Sequence, residues 1–189
     1  LIDQLWTAPA VGIIGGTPKS CKTWLALEVA VSVASGSACL ATYAVPAPGP
    51  VLLYAAEDSQ SALRSRLESL ARHHGLDLSC LDIRVITADS LRLDRAADQE
   101  RLEATLLVHR PVLLILDPLV RLHAIDENAA GEIAALLGYL RLLQRKTGAA
   151  IALVHHARAA AEAGHSRLGG RGSDPAGTLR RGVNMELLA

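Results

Sequence analysis

The chain has 189 residues, half of them hydrophobic, and nineteen basic side chains balance nineteen acidic ones. That length and apolar content fit one domain with an ample core. They exclude an intrinsically disordered chain and a protein that coats nucleic acid through bulk positive charge, so any nucleic-acid contact must be local.

Short apolar runs alternate with longer helical stretches. Ala10 to Gly15 reads as a buried strand and is followed by a Gly/Pro/Ser loop. Thr23 to Ser35 reads as a helix, with Leu25, Val29 and Val33 at helical spacing and Gly36 as its stop. Tyr43 to Pro50 is proline-rich and reads as a loop with room for a short edge strand. Val51 to Ala55 is a second strand. Ser59 to His74 is an amphipathic helix that turns Leu63, Leu67 and Leu70 inward and ends at Gly75. Ile83 to Thr87 is a short strand, and Arg95 to Val108 a helix. Val112 to Leu116 is an apolar run ending in Asp117. Asn128 to Lys146 is a long helix with Ile133, Leu136, Leu137, Leu140 and Leu143 on one face. Ala149 to Val154 is a further strand, closed by His155 and His156. Gly164 to Gly182 is a Gly/Arg-rich loop, and Val183 to Leu188 a last strand.

Strands that are apolar throughout and separated by helices imply an α/β fold with a mostly parallel central sheet and helices on both faces. Ligands of such sheets sit at the carboxyl ends of the strands. The polar residues there are Lys22 and Thr23, Glu57 and Asp58, Asp117, and His155 and His156.

Cys21, Cys39 and Cys80 form no paired pattern, which argues for a reducing, cytoplasmic setting. The most apolar stretch, Trp24 to Ala41, is broken by Glu28 and Gly36 and makes a poor membrane span. A chain that starts at Leu1 reads as a fragment of a single domain over residues 1–189.

The strongest chemical signal is Gly16-Thr17-Pro18-Lys19-Ser20-Cys21-Lys22-Thr23, a G-x-x-x-x-C-K-T run between a strand and a helix. It differs from the phosphate-binding G-x-x-x-x-G-K-[ST] loop only at Cys21. Only three lysines stand against sixteen arginines, and two of them, Lys19 and Lys22, lie in this loop. In such a loop the backbone N–H groups of residues 16–21, Pro18 excepted, cradle phosphates and the helix dipole adds to the attraction. Lys22 reaches the β/γ-phosphates of ATP, and the Thr23 hydroxyl ligates Mg²⁺. Cysteine where the pattern has glycine is expected to cost about 1–2 kcal/mol if a left-handed conformation is required.

Asp117, at the end of an apolar strand, is the expected second Mg²⁺ partner. Glu57, just past the strand that follows the loop helix, is the expected base for an attacking water, while Asp58 is placed to cap the next helix. Of the two histidines, alternation along a strand allows only one to face the γ-phosphate, with His156 preferred over His155 as its sensor. Arg158, Arg167, Arg171, Arg180 and Arg181 are candidates for a finger acting on a neighbouring subunit's ATP or for nucleic-acid contacts.

The run from Gly15 to Leu27 resembles the phosphate loop of the RepA-like (AAA-type) ATPases, RecA-fold relatives of a plasmid-encoded hexameric replicative helicase. Asp117-Pro118-Leu119-Val120-Arg121-Leu122-His123 with Asp126-Glu127-Asn128, and Leu153-Val154-His155-His156-Ala157-Arg158, resemble further motifs of that family, as does Arg171-Gly172-Ser173. The resemblance implies a RecA-like ATPase core. It implies ATP and Mg²⁺ as ligands, with Lys22, Thr23, Glu57, Asp117 and one histidine as site residues. It further implies a ring homo-oligomer, a hexamer by analogy, that acts on single-stranded DNA in DNA replication. Residues 164–181 match the family pattern poorly. An ATP-gated interaction module with little turnover is the alternative, and a small-molecule kinase is a weaker one.

Overall fold

A computed structural model describes residues 1–124, 130–156 and 184–188. Six strands form one sheet. In chain order they are β1 (Val11–Gly16), β2 (Val51–Ala55), β3 (Ile83–Val85), β4 (Leu113–Asp117), β5 (Ala150–His156) and β6 (Asn184–Leu188). Their spatial order is β3-β2-β4-β5-β1-β6. The first five are parallel and β6 runs antiparallel to β1. The helices are α1 (Lys22–Ser35), α2 (Gln60–His73), α3 (Ala96–His109) and α4 (Ala130–Thr147).

Alternation along the strands sorts the apolar residues into two cores. Val51, Leu53, Leu113, Ile115, Ala152 and Val154 pack with α1 and α2 on one face. Leu52, Tyr54, Leu114, Leu116, Ile151 and Leu153 pack with α3 and α4 on the other. Both faces are covered, which explains why these strands read as unbroken apolar runs. Among the described residues no helix is long and apolar enough to cross a membrane.

Helix ends follow the local chemistry. Gly36 caps α1 in the left-handed region at φ 79°, and its N–H donates to the Ser32 carbonyl. Gly148 plays the same part after α4, donating to Gln144 O at 2.8 Å. The cap of α2 differs from the expected one: Ser59, not Asp58, is the N-cap, its hydroxyl accepting from Ala62 N. Asp58 instead pairs with Arg66 across 2.5 Å. Its carboxylate neutralises a guanidinium about two helical turns further along, which a short Ser cap leaves it free to do. No edge strand forms in residues 43–50. Proline spacing there prevents a ladder, and Cys39 and Tyr43 make only an isolated bridge.

One buried charged group outside the site lies where α1 meets α2. Glu28 of α1 is nearly buried, and both its oxygens lie 3.0 Å from His74 Nε2. Its Oε1 also accepts from Leu40 N at 3.0 Å. The buried carboxylate therefore has partners on two other segments and ties the end of α2 and the 37–43 turn to α1.

Candidate functional site

The parallel topology brings the loop after β1, the ends of β2 and β4, and the end of β5 to one edge of the sheet. β5 lies between β1 and β4, and Gly15 and Gly16 pair with His155 and His156. Both histidines thus belong to the strand itself, two residues beyond the apolar run, because pairing with β1 continues to Gly16. Ala55 pairs with Asp117, and Ala56 N donates to Asp117 O at 2.8 Å, which carries the β2–β4 ladder past the strand end.

The loop between β1 and α1 folds back on itself. Cys21 takes φ 64° and ψ 22°, the left-handed conformation for which the usual residue is glycine, and so delivers the chain into α1. Lys19 is left-handed too, at φ 61°. Lys22 is buried, 3 % exposed, yet carries an amine. That amine donates to Thr17 O at 2.7 Å and reaches Ser20 Oγ at 3.4 Å. Ser20 Oγ itself donates to Thr17 O at 2.7 Å. Burial pulls the Lys22 pKa below its ordinary 10.5, and the nearby Asp117 carboxylate pulls it back up. Asp117 is also buried, 7 % exposed, at the end of β4.

A buried ammonium beside a buried carboxylate, in a loop that leads into a helix N-terminus, suits a polyanionic ligand carried with a divalent cation. Among the described residues no three His, Cys, Asp or Glu side chains cluster as a metal site on their own. A cation at Thr23 and Asp117 would draw its other ligands from phosphate and water, as Mg²⁺ commonly does.

The outer half of the site is open. A concavity of about 280 Å³ is lined by residues 19–24 and Arg66. Trp24, in the first turn of α1, is 41 % exposed, and the Arg66 guanidinium stands 5.7 Å from its ring centroid. Glu57 is about half exposed and Arg121 more so, and Arg121 Nε donates to Glu57 Oε1 at 3.0 Å. Arg121 closes a 3₁₀ turn, Leu119–Arg121, directly after Pro118.

The structure therefore brings together residues 16–23, Asp117 and the two histidines, with Glu57 at the mouth. His155 is half-buried, and its Nδ1 has no hydrogen-bond partner among the described residues. His156 is placed by its backbone pairing with Gly16. Arg158, Arg167, Arg171, Arg180 and Arg181 lie outside the described residues. Sequence reasoning missed Trp24, Arg66 and Arg121. For Trp24 a signal existed, since a tryptophan directly after Thr23 falls on the same helix turn as the phosphate loop. Arg66 and Arg121 are placed by tertiary contact and give none.

The family model for the AAA domain matches residues 1–162, most of the chain. The chain belongs to the AAA domain family of RecA-like P-loop ATPases. Among solved structures, the crystal structure of the RadB recombinase superposes with a TM-score of 0.53 at 22 % identity, over 79 % of this chain and 62 % of that one. The chain thus spans less than two thirds of the recombinase's length. At that identity the likeness concerns the fold, a RecA-like α/β core with a parallel sheet.

Proposed function

We propose that this AAA domain binds Mg²⁺–ATP at the β1–α1 loop and hydrolyses it, and that a ring of copies couples hydrolysis to action on single-stranded DNA. The observation that carries this reading is the buried Lys22 amine. It is held by Thr17 O inside the loop and stands beside the buried Asp117 carboxylate. A desolvated ammonium gains most from a phosphate, and the bond to Thr17 O is one it can exchange.

Each residue then has a task. Residues 16–21, apart from Pro18, which has no N–H, present backbone N–H groups to the phosphates. Lys22 neutralises the β- and γ-phosphate oxygens. Thr23 and Asp117 hold Mg²⁺, which supplies charge neutralisation for the transferred phosphoryl group. Trp24 and Arg66 offer the base a stacking surface at the rim of the concavity. Glu57 accepts a proton from the attacking water. His155 or His156, one strand away from the loop, senses the γ-phosphate. The half-exposed Glu57 leaves the site open on one side, which a neighbouring copy in a ring would close.

Hydrolysis measured with and without single-stranded DNA tests the coupling. Turnover that rises with DNA and is lost in Glu57→Gln supports it. ATP binding without turnover in either condition replaces the motor with an ATP-gated interaction module. The observation favouring that alternative is Cys21, which holds the left-handed position of the phosphate loop where the usual residue is glycine.

A further inference from the structure

Glu57 sits two residues past β2, and Arg121 sits four residues past β4. These strands are neighbours and their ladder continues beyond the last paired residues, so the two segments leave the sheet side by side. Arg121 Nε donates to Glu57 Oε1 at 3.0 Å. Among the described residues this is the only polar partner of Glu57. The contact is single: one carboxylate oxygen is engaged and Oε2 has no described partner. Both side chains are substantially exposed, so the pair contributes little to holding the fold. An exposed glutamate otherwise samples several rotamers. A directional N–H bond to one oxygen narrows that set and fixes the plane of the carboxylate.

We infer that Arg121 is a positioning residue that holds the Glu57 carboxylate with one oxygen engaged and the other turned to the attacking water. The inference rests on the role of Glu57 proposed above. The arginine is suited to this because its Nε–H has a fixed direction in the guanidinium plane, whereas an ammonium is a point charge on a flexible stem. The contact also links the catalytic carboxylate to the turn that follows Asp117, so the base and the carboxylate proposed for Mg²⁺ are referenced to one segment.

The test compares the parent protein with Arg121→Ala, Arg121→Lys and Glu57→Gln in Mg²⁺–ATP hydrolysis, with ATP affinity and melting temperature measured on each. Arg121→Ala is expected to lower kcat roughly ten-fold, within the range that small misplacements of catalytic groups produce, with KM for ATP and melting temperature unchanged. Arg121→Lys is expected to fall between Ala and the parent. A purely structural residue would move the melting temperature, and a nucleotide contact would move KM. Parental kcat in Arg121→Ala, while Glu57→Gln is inactive, overturns this inference and leaves the proposed function standing. A fall in Arg121→Ala carried by KM alone also overturns it. Parental hydrolysis in Glu57→Gln instead overturns the role of Glu57 on which the inference is built.

Discussion

The two halves of the candidate site are built on opposite principles. At the inner half, Lys22 and Asp117 are buried and Lys22 is bonded to its own loop. At the outer half, Trp24, Glu57 and Arg121 are exposed, and their contacts join segments far apart in sequence. Buried charge is costly unless a ligand or partner compensates it, so the inner half is arranged for one kind of ligand. Exposed pairs in water are individually weak, so the outer half orients side chains without adding much to the stability of the fold. The contrast predicts large losses of ATP binding from changes inside, and graded or negligible losses of binding from changes outside.

The sharpest way to break this contrast is Lys22→Ala. It should lower hydrolysis by at least roughly 10²-fold, the scale seen when one donor to a developing charge is removed. Its fold should be retained, because the polar partners of the amine lie within its own loop and at the end of β4, and the apolar cores on both faces of the sheet are untouched. Circular dichroism and a phosphate-release assay check both.

Trp24→Ala comes next. Stacking of a base on an aromatic ring is worth about 1–3 kcal/mol, and the lower figure is roughly a five-fold change in affinity. ATP titration should show a loss of that order, with Trp24→Phe close to the parent. A loss as large as that of Lys22→Ala would erase the distinction between inner and outer halves.

Smaller still is Cys21→Gly, which sharpens the account of the loop. Relief of a left-handed conformation should stabilise the protein by about 1 kcal/mol in denaturant unfolding. The same position gives a chemical test. Alkylation of Cys21, which is exposed and lines the concavity, should block ATP binding in the parent, ATP should protect against it, and Cys21→Gly should be immune.

The smallest expected effect is in the pH profile. The Lys22 pKa lies below 10.5 because of burial, so the amine loses its proton at a lower pH than an ordinary lysine. The protonated form attracts phosphate. ATP affinity should therefore fall as pH rises on the alkaline side, and the fall should begin below 10.5. Lys22→Arg, whose guanidinium stays charged, should not show that fall.

The same division governs what could be read from the residues alone. β2 matches its apolar run from Val51 to Ala55, and β1, β4 and β5 shift by only a residue or two. A strand buried on both faces has no choice but to be apolar, and that leaves an unambiguous trace. The inner half of the site was legible for a related reason. A loop that must turn tightly, present N–H groups and deliver a lysine into a helix has few workable sequences. Cys21 in the left-handed region is the same constraint met by a different residue.

The outer half left no such trace. Arg121 and Glu57 are 64 positions apart, and their meeting follows from β2 and β4 being neighbours. Trp24 and Arg66 meet because α1 and α2 cover one face of the sheet. Asp58 was misjudged because a carboxylate before a helix looks like a cap. Only the fold shows Arg66 about two turns along and Ser59 able to cap in its place.

The central claim is that one site binds ATP through its buried half and turns it over through its exposed half. Paired measurements of Mg²⁺–ATP binding and hydrolysis on the parent, Lys22→Ala and Glu57→Gln test it most directly. The parent should bind and hydrolyse, Glu57→Gln should bind with near-parental affinity and not hydrolyse, and Lys22→Ala should do neither. Parental ATP affinity in Lys22→Ala, or parental hydrolysis in Glu57→Gln, would contradict it.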